Sequence, residues 1–353
     1  MRKWDERAHG TKKKTPTWTL VGVGVALFWI GRQTQVFQRS ESGGIFRPSN
    51  DIAHDQKFMT TARNLSAELE TNTRFKSYLV HPVTNEWRQA KLWNRARKLL
   101  DLAVADGEAL VDPKQKDVAR RFYTQCGLQN LALMNGNSVY VRIPKNGNNN
   151  IRCNLASFPG EQEELKCLRQ VDGLKLVSSG VKVWTFVREP ISRFVSGYTE
   201  VEFRNRDDPK VQEHFKHKLG TKERFREYVV SMLDGHRVHA IFHTYSQSWI
   251  GTTFPVLNAG KIENMEEDWS ALQVWLGLRA PQPFNKNCST HPTSSDPLAT
   301  SAAARQALEE DPALLNALCA LLLPDFLNFH YQLPSACLDG QNFTHIWTHE
   351  TAD

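Results

Sequence analysis

Residues 139–150 read Val-Tyr-Val-Arg-Ile-Pro-Lys-Asn-Gly-Asn-Asn-Asn, an extended apolar stretch that breaks into a Lys-Asn-Gly turn before residues suited to a helix start. The arrangement recurs further on. Val183-Trp184-Thr185-Phe186-Val187 delivers Arg188-Glu189-Pro190, and the helix-like Ser192-Arg193-Phe194-Val195-Ser196-Gly197-Tyr198 follows. A strand that exits through a cation and a turn into a helix leaves free backbone N–H groups and a positive dipole end at the exit, which suits a phosphate or sulfate. Two such exits describe a site for a ligand with anionic groups at both ends. They also constrain the fold. Strands alternating with helices predict an α/β core with a mainly parallel sheet flanked by helices. Ligands of such sheets sit beyond the carboxyl ends of the strands, where Lys145 and Arg188 fall.

The rest of the chain fits that plan. Strands are expected at 138–143, 181–187 and about 254–262, with helices after the first two strands and at 222–233, 266–276, 299–309 and 312–329. These lie in a core domain placed at 135–334, with a tail at 335–353. Residues 51–134 are expected to form a helical N-terminal region, most clearly over 86–106. There Trp93, Ala96, Leu99, Leu100 and Ala103 share one face and Arg88, Lys91, Arg95 and Lys98 another. That basic stripe is either a solvated helix face or a surface for an anionic acceptor or lipid headgroups.

The net charge of +6 is concentrated at the start: six cations against Asp5 and Glu6 within the first fourteen residues supply +4 of it. The near-neutral remainder argues against nucleic acid as a partner. Between Lys14 and Arg32, residues 15–31 carry no charge and include Trp18 and Trp29 near their ends. This length is the lower limit for a membrane-spanning helix, the tryptophans suit the interfacial belt, and the preceding lysines suit the cytosolic side. A cleaved signal peptide and a buried helix are the competing readings. No clear small-x-small cleavage site follows before Gln33, which favours an uncleaved signal anchor. The expectation is a single-pass type II membrane protein with a cytosolic tail at 1–14, a stem at 32–50 and the bulk of the chain in the lumen. Sequons at Asn64, Asn287 and Asn342 agree with a luminal glycoprotein. The six cysteines permit disulfides there, and without CxxC or Cys/His spacing they do not suggest a structural zinc.

At the first exit Pro144 stiffens the strand end, Lys145 supplies a mobile point charge, and Gly147 lets the backbone approach an anion. The loop lacks the Gly-Lys-Ser/Thr ending of a nucleotide triphosphatase, so magnesium-dependent phosphoryl transfer is disfavoured. At the second exit Arg188 can fork onto a phosphate, Pro190 opens the helix, and Ser196, two turns along, adds a hydroxyl donor.

These residues resemble the membrane-bound carbohydrate sulfotransferases. Ile143-Pro144-Lys145-Asn146-Gly147 is similar to that family's 5′-phosphosulfate loop, and residues 186–198 are very similar to its 3′-phosphate motif. His243-Thr244-Tyr245-Ser246-Gln247 resembles a His-x-x-x-Gln segment, residues 260–269 the element after it, and residues 325–331 a closing aromatic helix. The resemblance implies a P-loop-like α/β fold, a Golgi location, 3′-phosphoadenosine 5′-phosphosulfate as co-substrate with no metal, and a glycan or proteoglycan hydroxyl as acceptor. It implies that Lys145, Asn146, Gly147, Asn148, Asn149 and Asn150 cradle the 5′-phosphosulfate, with Lys145 also catalytic, while Arg188 and Ser196 hold the 3′-phosphate. His243 is the first candidate for the base, with His239 next; Glu263 either orients that base or closes the core. One departure stands out, because Asn149 occupies the position where a Ser or Thr usually follows the glycine.

Two other classes stay open: a catalytically impaired luminal binding protein on the same fold, and a type II glycosyltransferase with the same anchor and stem. The second is disfavoured, since many such enzymes use an Asp-x-Asp metal motif and none occurs here.

Overall fold

The computed structural model describes residues 86–104, 131–134, 138–156, 162–165, 179–234, 241–248, 258–278, 280–288 and 299–338, with single positions 158 and 176. The proposed anchor at 15–31, the stem, His239, Cys126 and Cys167 lie outside the described residues. Among the described residues no helix is long and apolar enough to cross a membrane.

The elements in chain order are α1 (Glu86–Leu99), β1 (Leu131–Met134), β2 (Ser138–Tyr140), α2 (Asn148–Leu155), β3 (Gln162–Leu165), β4 (Lys182–Val187), α3 (Pro190–Asn205), α4 (Pro209–His214) and α5 (Lys222–Leu233). A 3-10 turn follows at Ile241–Thr244, then β5 (Asn258–Lys261), α6 (Met265–Leu276), α7 (Thr300–Glu310), α8 (Pro312–Asn328) and α9 (Ser335–Leu338). The sheet order is β3-β1-β2-β4-β5. β2, β4 and β5 pair in parallel, as the alternation of strands and helices predicts. The other half corrects the expectation of a mainly parallel sheet: β1 runs antiparallel to both β2 and β3, so the sheet is mixed. Its reason is local. β1 and β2 are separated by Asn135-Gly136-Asn137, too short for a parallel crossover and carrying the Asn-Gly signal of a hairpin. β3 reads Gln-Glu-Glu-Leu and lies at the edge, where polar strands are tolerated and have no apolar pattern to betray them.

The two faces of the sheet separate by the period of two along each strand. One face sets Val139, Val141, Val183 and Val187 in a cluster with Phe194, Tyr198 and Phe225 and with the buried leucines of α8. The opposite face sets Tyr140, Trp184 and Phe186 against Ile151, Leu155, Trp269 and Leu272. Tyr140 and Trp184 pack with ring centroids 4.8 Å apart and planes tilted by 35°.

Several helix starts are capped by their sequence. Glu189 accepts the N–H groups of Ile191 and Ser192 ahead of Pro190 at the first turn of α3. Thr221 caps α5, and Asp311 caps α8, which also opens on a proline. α2, like α6 and α7, starts with no side-chain cap bond, and Gly147 stands at its N-cap. Among the described residues two disulfides, Cys153–Cys288 and Cys319–Cys337, tie α2 to the loop after α6 and α8 to α9.

Candidate active site

The two strand exits are held together by one side chain. Gln247, fully buried, accepts at Oε1 from Asn146 Nδ2 at 2.7 Å and from the Arg188 N–H at 3.0 Å, and its Nε2 donates to the Arg188 carbonyl at 2.7 Å. Asn146, equally buried, also donates to the Phe186 carbonyl at 2.8 Å, so the Lys145 loop is bonded directly to the end of β4. Asp325 on α8 holds the segment that carries Gln247. Its carboxylate accepts from the Ser246 hydroxyl at 2.6 Å and from the N–H groups of Gln247 at 2.8 Å and Ser248 at 2.7 Å. Arg193 adds a tie from α3 to the carbonyls of Pro144 and Tyr245.

The first exit is a strained turn. Lys145 takes φ 71° and Gly147 φ 68°. The left-handed region costs a non-glycine residue about 1–2 kcal/mol, and here the Asn146 bonds hold Lys145 in it. A Cβ on Gly147 would come 3.2 Å from Ile262 Cδ1, so the glycine serves both the backbone angle and the space. The first-turn N–H groups of α2 are left by this uncapped start for an external acceptor. The three asparagines then separate. Asn148 turns inward, accepting from the Tyr140 hydroxyl at 2.6 Å and donating to the Ile143 carbonyl at 2.5 Å. Asn150 donates to the Lys286 carbonyl at 3.3 Å. Asn149 is exposed at the helix start, where its amide is available to a ligand.

Lys145 Nζ pairs with Glu200 Oε2 at 3.1 Å, so a carboxylate already sits where an anion is expected. At the second exit Arg188 is half-buried at the end of β4, and among the described residues its guanidinium has no ion-pair partner within bonding distance. Burial pushes Arg188 below the ordinary arginine value, an effect opposed by Glu263 and reinforced by Arg305. Ser196, half-buried on α3, has no hydroxyl partner among the described residues.

His243 sits on the 3-10 turn packed against α3. A Cβ on Gly197 would stand 2.2 Å from the His243 carbonyl oxygen, so only glycine permits this approach beside Ser196. The imidazole lies in the field of Glu200, Arg204, Lys145 and Arg193, and burial above all depresses its pKa to about 3. It is therefore neutral at physiological pH. The structure thus brings Lys145, Asn146, Gly147, Arg188, Ser196 and His243 together around the ends of β2 and β4. Glu263 has a different place from either expected one: it accepts from the Glu189 N–H at 2.7 Å and from the Tyr331 hydroxyl at 2.9 Å, closing the C-terminal segment over the second exit.

Sequence reasoning missed Glu200 and the roles of Asp325 and Gln247. Glu200 was visible only as a residue one helical turn beyond Ser196. Gln247 lay inside the recognised His-x-x-x-Gln segment, but its partners are 59 and 101 positions away.

Comparison with curated proteins and with solved structures finds no significant match. A family model does match: the one described as the Sulfotransferase family covers residues 129–332, more than half of the chain, and includes every site residue above. The protein belongs to the sulfotransferase family.

Proposed function

We propose that this sulfotransferase moves a sulfuryl group from 3′-phosphoadenosine 5′-phosphosulfate to a hydroxyl of a glycan or proteoglycan, as a single-pass type II protein of the Golgi membrane. The observation that carries the reading is the Gln247 clamp. It fastens the cationic loop of Lys145 to the backbone of Arg188, so that two anion-binding exits serve one ligand.

The residues present fit such a donor. Gly147 and the uncapped start of α2 leave room and N–H groups for a phosphosulfate, Lys145 supplies a cation from the same loop, and Arg188 with Ser196 offers a cation and a hydroxyl for a second phosphate. Asn149, in place of a hydroxyl residue, presents an amide that can donate to an anionic oxygen. When bound, the donor supplies an activated sulfuryl group whose departure builds charge on a phosphate oxygen. Lys145 stabilises that charge as a cation in a partly desolvated site. His243 is held neutral by burial and lines the same cluster. The disulfides Cys153–Cys288 and Cys319–Cys337 support an oxidising compartment such as the secretory lumen.

The test is incubation of the purified protein with labelled donor and a panel of glycans. Sulfate incorporation is expected. Transfer of sugar from a nucleotide sugar would make the protein a glycosyltransferase, and donor binding without transfer would make it a luminal binding protein.

A further inference from the structure

The proton released by an acceptor hydroxyl needs a destination, and the surroundings of Lys145 supply one. Lys145 Nζ and Glu200 Oε2 are 3.1 Å apart, and both side chains are about one-quarter exposed, so the pair lines an accessible wall of the site and not the core. Glu200 stands one turn beyond Ser196 on α3, and its second oxygen accepts from Arg204 Nε at 2.7 Å. The charged and titratable groups around Glu200 are Lys145 from the loop after β2, Arg204 from its own helix, and His243 from the 3-10 turn, which feels the carboxylate.

We infer that Glu200 is the catalytic base, released for that task when Lys145 turns from it to the donor. This rests on the proposed function above. In the step the acceptor O–H bond breaks and its proton passes to a Glu200 oxygen, while the acceptor oxygen bonds to sulfur. The bond from sulfur to the 5′-phosphate oxygen breaks, and its electron pair stays on that phosphate beside Lys145.

The electrostatics favour this exchange. Burial is the largest influence on Glu200 and opposes its ionisation, but Lys145 and Arg204 outweigh it and hold the carboxyl below its ordinary value. Withdrawal of Lys145 removes one of those cations and leaves the burial, so the carboxylate gains proton affinity once the donor is engaged. His243 has no comparable release, because burial itself is the main cause of its low pKa.

Calorimetry of the full-length protein with 3′-phosphoadenosine 5′-phosphate tests the exchange apart from turnover. At mildly acidic pH the unmodified protein is expected to take up protons on binding, read from the dependence of the binding enthalpy on buffer ionisation. Glu200→Gln should bind this nucleotide at least as tightly, show no such uptake, turn over at least about 100-fold more slowly, and lose the acidic limb of its kcat profile. Glu200→Asp should recover part of the rate. Unchanged turnover or unchanged proton uptake in Glu200→Gln would overturn the inference. So would joint loss of nucleotide binding and melting temperature in that variant, which would make Glu200 a structural tie for the loop. Failure of the unmodified protein to bind the nucleotide would instead remove the donor assignment, and the inference with it.

Discussion

Gln247 grips the backbone of Arg188 at both of its polar groups, accepting from the N–H at 3.0 Å and donating to the carbonyl at 2.7 Å. Because the same amide oxygen also receives Asn146, removing it takes an acceptor from a buried amide and from a part-buried backbone N–H at once. Gln247→Ala is expected to cost about 3 kcal/mol by urea denaturation. Affinity for 3′-phosphoadenosine 5′-phosphate should fall with it in folded protein.

Arg188 and Lys145 have separable duties. Arg188→Lys keeps a charge but loses the planar fork, so calorimetry should show nucleotide affinity at least about tenfold weaker. Lys145→Ala should lower turnover by about 100-fold or more, since its cation is aimed at developing charge. Full activity in either variant would refute the assignment of the two exits.

Neighbouring asparagines should behave oppositely. Asn148 is buried between Tyr140 and the Ile143 carbonyl, and Asn148→Ala is expected to cost about 2 kcal/mol. Asn149→Ala, at an exposed position, should change stability by less than about 0.5 kcal/mol. Thermal melting of the pair tells structural from ligand-facing asparagine.

His243 makes stability depend on pH. Its folded pKa of about 3 lies below the ordinary 6.5, so between these values the unfolded chain binds the extra proton. Its contribution is therefore fully present above pH 6.5 and is lost as pH falls toward 3, with a slope of up to about 1.4 kcal/mol per pH unit. Denaturation of His243→Gln across this range should show a shallower slope than the unmodified protein.

Cys153 and Cys288 are 135 positions apart, and their bond fixes the loop to which Asn150 and Asn154 are tied. Replacing both by alanine should lower stability by about 2–5 kcal/mol, measured by denaturant titration.

Much of the frame was legible without coordinates. β2, β4, α3, α5, α6 and α8 were readable because each declares itself over a few residues: an apolar run, a turn, then a capped helix start such as Glu189-Pro190 or Asp311-Pro312. Lys145 and Arg188 could be named for the same reason, since their place follows from the strands that end there. β1 and β3 were not read as strands, because a short apolar run and a polar edge segment carry no distinctive period.

By itself, then, the sequence determined that two strands end in cations before helix starts, and the motifs there pointed to a sulfotransferase. Tertiary structure decided that these ends are bonded to each other, through Gln247 and Asp325, and that Lys145 is paired with Glu200. It also turned Asn148 inward while leaving Asn149 exposed, and buried His243 so that its imidazole is neutral at physiological pH. The physical reason is distance along the chain. Strand and helix signals are local, whereas a hydrogen bond from Gln247 to Asn146, or the burial that depresses a pKa, exists only after remote segments have packed.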